Sequence, residues 1–178
     1  MARINQRLAG FALAAGVALA LPAAAQSCLQ AAEKTAMDVR ALQSQLMVAA
    51  LSCDRHDQYN AFVTRYQKEL GSAYRQVTGH FRRVHGANGQ RQLDSYITTL
   101  ANAQSQEGIR QGSFFCQNVA PLFQQALSQP GMTELAALSV AQQVTNPYEA
   151  QICPAPATRS ASAPRRSTPA APTQVATR

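Results

Sequence analysis

Between Tyr59 and Val84 the chain repeats apolar side chains at steps of three and four: Tyr59, Phe62, Val63, Tyr66, Leu70, Ala73, Val77, Phe81 and Val84. That is the period of an α-helix, not the two-residue alternation of a half-buried strand. An amphipathic helix of this length needs other helices to cover its stripe, which predicts an all-α fold. Asp54 is placed to cap its start, with Asp57 near the positive end of the dipole. His85-Gly86 is placed to end it, glycine being able to take the left-handed cap. Gly71 and Gly79 lie inside the stripe, each costing up to about 1 kcal/mol against alanine, and point to a bend or a close helix crossing.

The flanking segments read the same way. A first helix is expected from about Ser27 to Leu51, with Ala31, Ala32, Thr35, Val39, Leu42, Leu46 and Ala49 or Ala50 on its inner face. It is rich in Ala, Leu, Gln and Met, all good helix formers. A third runs from Asn88-Gly89 to about Gln106 through Leu93, Tyr96, Ile97, Leu100 and Ala101, ended or bent at Glu107-Gly108. A fourth runs from about Ser113 to Ser128, with Pro121 in its interior, where the missing N–H predicts a kink. Thr133 is placed to cap a fifth, ending near Val144 ahead of Asn146-Pro147. The expectation is an antiparallel bundle of four to five helices with two disulfides, preceded by a signal peptide and followed by a disordered tail.

Residues 1–25 have the layout of a secretory signal. Arg3 and Arg7 supply the charge, Leu8 to Leu21 the apolar run, and Pro22 with Ala23-Ala24-Ala25 the cleavage site, cut after Ala25. The apolar run is short of the ~20 residues that span a bilayer, and a retained anchor is the alternative. There is no twin-arginine pair, so export is expected by the general route. Gln26-Ser27 before Cys28 is a poor match for lipid attachment. Nothing after Ala25 is apolar enough to span, so the expected address is the periplasm or the medium. Residues 26–153 form the helical domain. Residues 154–178 form a Pro/Ala/Arg-rich tail with little to bury, read as disordered.

Charge divides the same way. The net +7 conceals a domain with ten basic and nine acidic side chains, and a tail with Arg159, Arg165, Arg166 and Arg178 and no acid. The four cysteines all lie in the domain, and an even count in an exported chain argues for disulfides. Short loops make neighbouring helices antiparallel. Cys53 and Cys116 then share one end of the bundle, and Cys28 lies at the other. The eight steps from Thr145 to Cys153 reach back to that other end, up to about 26 Å if extended. The favoured pairs are Cys53–Cys116 and Cys28–Cys153. The former closes a loop that contributes about 4 kcal/mol in the chain-entropy model.

The runs Leu51-Ser52-Cys53, Tyr59-Asn60-Ala61-Phe62-Val63, Phe81-Arg82-Arg83-Val84-His85-Gly86 and Phe115-Cys116 resemble those of a group of small exported helical proteins of alphaproteobacteria with no assigned function. The resemblance covers about Cys28 to Leu127; Pro121 and the tail lie outside its pattern. It implies a periplasmic or secreted helical domain and carries over no catalytic residue.

Motifs of chemistry are sparse. His80 and His85 are five residues apart, off the one-turn spacing of a helical metal site, and with His56 read as solvated helix-end histidines. No metal and no cofactor are expected. There is no GxSxG elbow and no CxxC, and no catalytic residue is assigned. Leu70 to Leu93 holds Arg75, His80, Arg82, Arg83, His85 and Arg91 with no acid. These cations either suit the negative end of the helix dipole or form an anion-binding patch of Arg75, Arg82, Arg83, His85 and Arg91. The tail arginines either solubilise or tether to an anionic surface. The expected function is a non-enzymatic interaction or binding protein of the cell envelope, its partner an envelope protein or anionic surface rather than nucleic acid. The alternatives are an electrostatic binder of anionic envelope polymers or lipid through the basic tail, and a hydrolase with a non-standard site.

Overall fold

The computed structural model describes residues 27–154. The expected signal peptide, and Arg159, Arg165, Arg166 and Arg178 of the tail, lie outside the described residues. Among those described there are six α-helices: α1 (Ala31–Ser52), α2 (His56–Arg65), α3 (Gln67–His85), α4 (Gly89–Gln111), α5 (Phe115–Leu127) and α6 (Met132–Ala141). A strap, residues 142–154, follows α6. The only strand-like pairing among the described residues is an isolated parallel bridge between Leu29 and Ile152.

The chain packs around α1, which touches each of the other five helices. Ala36, Met37, Val39, Ala41, Leu42, Leu46, Val48, Ala49 and Ala50 are all buried, so α1 is covered on most of its circumference rather than along one stripe. A helix apolar nearly all round belongs at the centre. Ala31 and Ala32, expected to face inward, are exposed, while Glu33 of the same turn is buried.

The long helix expected from Asp54 to His85 is two helices broken at Tyr66. Tyr66 is 3 % exposed and anchors elsewhere. Its hydroxyl lies 2.8 Å from the Ala126 carbonyl and 2.6 Å from that of Gln129, and accepts from Arg65 Nε at 3.1 Å. Carbonyls at a helix C-terminus lack partners within the helix, and Tyr66 supplies one to the end of α5. Gly71 and Gly79 mark no close crossing. A Cβ at Gly79 would meet nothing within 4 Å, and one at Gly71 only the tip of Arg75.

The close approach is at Gly89, where a Cβ would sit 2.8 Å from Arg82 Cα and 2.9 Å from the Phe81 carbonyl. There α3 and α4 meet across a 3₁₀ turn, Gly86–Asn88. Gly86 and Gly112 end α3 and α4 at φ of 54° and 56°, a region that suits glycine. Three end signals differ from expectation. Asp54 does not cap α2 but takes a left-handed turn at φ 53°, and the helix starts after Arg55. Thr133 lies inside α6, which starts after extended Gly131. Helix α4 continues through Gly108 to Gln111, where the Phe115 ring packs 3.4 Å from the position of the missing Cβ. Helix α5 runs uninterrupted through Pro121.

Cys53 is joined to Cys116 and Cys28 to Cys153, the pairs expected from the helix directions. The second bond holds the strap beside the N-terminal segment, together with Leu29 N–H to Gln151 O and Cys153 N–H to Leu29 O, both 2.8 Å. Buried Gln104 donates to Ala41 O and to Thr145 O, tying the start of the strap to α1 and α4. Among the described residues no helix is long and apolar enough to cross a membrane.

Candidate functional site

The strap lays Tyr148 over the junction of α1 and α3, where a polar cluster is sealed. Glu33, in the first turn of α1, accepts the Gln30 N–H at 2.9 Å. Its carboxylate also receives Arg83 of α3 as a two-pronged pair, Nε to Oε1 at 3.1 Å and Nη2 to Oε2 at 2.5 Å. Arg83 Nη2 further donates to the Cys28 carbonyl at 2.8 Å. One guanidinium thus ties the disulfide segment, α1 and α3 together, a geometry that lysine does not provide.

His80 lies one turn before Arg83 and is fully buried. Its Nδ1 is 3.0 Å from Glu33 Oε2 and its Nε2 2.6 Å from the Tyr148 hydroxyl. Arg83 Nη2 also lies 3.1 Å from Nδ1, but its two protons are taken by Glu33 and Cys28 O. The consistent assignment therefore has Nδ1–H donating to the carboxylate and Nε2 accepting from Tyr148. Burial pushes the Glu33 carboxyl up, but the hydrogen bonds from Arg83, Gln30 and His80 outweigh it and hold it below its ordinary value. Burial depresses the His80 imidazole, against the opposing pull of Glu33. Burial, with Glu33 adding to it, raises the Tyr148 phenol.

Carboxylate, imidazole and hydroxyl stand in the order of a nucleophilic triad, but the chemistry differs. The hydroxyl is a phenol of raised pKa, and the carboxylate shares its charge with Arg83. The chain of bonds orients Tyr148 and pins the strap.

Above this cluster a cleft of about 510 Å³ opens between α3, α4 and the strap. Phe81, Tyr96 and Tyr148 form its aromatic floor, with ring centroids 5.3 to 5.6 Å apart in tilted and edge-on contacts. Such pairs contribute about 0.5–1.5 kcal/mol each beyond burial. His85 stacks on Phe81 at 5.9 Å and, with Gln92, Ser95, Thr99 and Glu149, places polar groups around the apolar floor. Ser27, Cys28 and Gln151 also line it, so both ends of the described chain meet at this cleft.

The expected anion-binding residues do not share one surface. Arg83 is turned inward onto Glu33, with its side chain 28 % exposed. His85 lines the cleft, Arg91 donates to Asn88 Oδ1, and Arg75 and Arg82 lie exposed on α3. His80 is not a solvated helix-end histidine. It falls three residues after Val77 on the buried stripe, a spacing that was visible in the sequence. Glu33 was missed as well, although Gln30 and Glu33 have the three-residue spacing of a helix start whose acid turns back to the cap. Only His56, exposed and 3.5 Å from Asp54, fits the solvated reading. Comparison with family models, with curated proteins and with solved structures returns no match for this chain.

Proposed function

We propose that this chain is an exported, non-enzymatic binding protein of the cell envelope, related to the small alphaproteobacterial proteins it resembles, and that its ligand sits in the cleft between α3, α4 and the strap. The observation that carries the reading is the cleft itself. Its volume of about 510 Å³ falls in the range of small-molecule sites, and an aromatic floor rimmed by a few polar groups is their usual chemistry. The floor is held rigid from beneath by Glu33, His80 and Arg83, which favours a preformed seat. The ligand class is an apolar or aromatic group bearing hydrogen-bonding substituents. The test is titration of the mature protein with the fluorophore 8-anilinonaphthalene-1-sulfonate. Saturable binding at one site, lost in Thr99→Arg and retained in high salt, supports the reading. Binding unchanged by Thr99→Arg overturns it.

A second reading, electrostatic attachment to anionic envelope surface, is favoured by one observation. Arg75, Arg82 and Arg91 have no carboxylate within 4.0 Å among the described residues. It requires binding to anionic vesicles that weakens steeply with salt and with neutralisation of these arginines and those of the tail.

A further inference from the structure

Arg40 is a cation on the central helix with no counter-ion. Among the described residues no carboxylate lies within 4.0 Å of it. Its one protein acceptor is Gln43 Oε1, and its guanidinium lies over the Tyr74 ring, 5.6 Å from the centroid. Burial pulls the guanidinium below its ordinary pKa, against smaller opposing pulls from the phenols of Tyr96, Tyr59 and Tyr74. Its neighbours on α1, Val39, Ala41 and Leu42, are buried and apolar, and the nearest buried acid of the helix, Asp38, is paired with Lys34. A half-buried charge here costs stability that a methionine would not.

The side chain borders a cavity of about 60 Å³ between α1, α2 and α4. Its lining combines polar groups, Arg40, Gln43, Ser44 and Tyr59, with apolar ones, Met47, Ile97, Leu100 and Ala101. Gln43 Nε2 points at the Tyr59 hydroxyl from 3.5 Å. A seat for one water needs about 10–15 Å³, so the space suits a group of roughly four or five heavy atoms. A planar guanidinium fork matches a carboxylate, and the apolar lining residues match a short alkyl chain. We propose that Arg40 anchors a binding site for a small monocarboxylate, with the acid on Arg40 and Tyr59 and the alkyl end against Met47, Ile97 and Leu100. Tyr96 backs both this cavity and the larger cleft, but the two sites open separately, and this proposal does not depend on the cleft being a ligand seat.

The test is an NMR titration of the mature full chain with sodium propionate, against sodium chloride at equal ionic strength and against inorganic phosphate. Expected are saturable shifts at the Arg40 side-chain N–H and at the Gln43, Tyr59 and Ile97 amides with propionate only. Arg40→Lys keeps the charge but loses the fork, and is expected to raise the propionate dissociation constant by about tenfold or more. Arg40→Met is expected to abolish the response and, in carboxylate-free buffer, to unfold at the same or higher urea concentration than the parent. Linear shifts shared with chloride, or saturation by phosphate instead of propionate, overturn the proposal. So does an Arg40→Met protein that is less stable or unfolded without carboxylate, because the arginine is then structural.

Discussion

Replacing Glu33 by glutamine tests whether the sealed cluster holds the fold. The carboxylate accepts four hydrogen bonds, from Gln30 N, His80 Nδ1 and both prongs of Arg83. Glutamine offers one acceptor oxygen and an NH2 group that would face donors only. At least one charge-assisted bond, worth about 1.5–3 kcal/mol, is lost. Removing one partner of a buried pair costs about 3–5 kcal/mol, but Arg83 keeps 28 % of its side chain in solvent and recovers part of that. The expected loss is about 3 kcal/mol. Glu107→Gln is the control: it breaks the exposed pair with Arg110, for which about 0–1 kcal/mol is expected. Urea unfolding of both variants at pH 7, followed by far-ultraviolet circular dichroism with disulfides intact, gives the comparison. A Glu33→Gln loss no larger than that of Glu107→Gln refutes the reasoning. A double-mutant cycle with Arg83→Met then assigns the coupling to this pair.

Acid should destabilise the protein in two stages. His80 is held below its ordinary pKa by burial, so the unfolded chain takes that proton first, and stability declines as pH falls below about 6.5 toward the lowered folded value. Glu33 ends below its ordinary value because Arg83, Gln30 and His80 outweigh burial; its contribution is present above about pH 4.3 and is lost on further acidification. His80→Asn should remove the upper stage, and a urea midpoint unchanged from pH 7 to 5 in the parent contradicts this. Two glycine substitutions should move stability in opposite directions. Gly89→Ala drives a Cβ into Arg82 backbone 2.8 Å away and should cost about 1–3 kcal/mol, while Gly79→Ala meets nothing within 4 Å and should add about 0.5–1 kcal/mol; urea midpoints decide. Replacing Cys28 and Cys153 by serine opens a crosslink spanning 125 residues and should cost up to about 5 kcal/mol in the chain-entropy model, with faster hydrogen exchange at Gln151 and Cys153 than in α1. Uniform exchange would show that the strap is not pinned there.

The helices were legible because their signals are local. The stripe from Tyr59 to Val84, the glycine at 86 and the proline at 147 act within a turn or two of themselves. Helix directions then sufficed to pair the cysteines. What was misread includes a residue whose partners are distant in the chain and one whose backbone departs from its type. Tyr66 belongs to the stripe yet breaks the helix, because its hydroxyl serves carbonyls 60 and 63 residues away. Asp54 has the residue type of a cap but takes a left-handed turn instead.

The polar interior shows the same division. Glu33, His80 and Tyr148 are separated by 47 and 68 residues, and Arg83 reaches Glu33 across 50. The spacing after Val77 could have placed His80 on the buried stripe, but nothing local joins it to Glu33, Arg83 or Tyr148. By itself the sequence determined which segments coil and which cysteines can meet, because hydrogen bonds within a helix and short loops settle those choices nearby. Only the tertiary structure decided which polar groups leave water, that Arg83 turns inward while Arg40 is left without a counter-ion, and where the cleft opens. The Glu33 charge is sealed in because Arg83 and His80 arrive on it from another helix, and that arrival depends on how the helices pack.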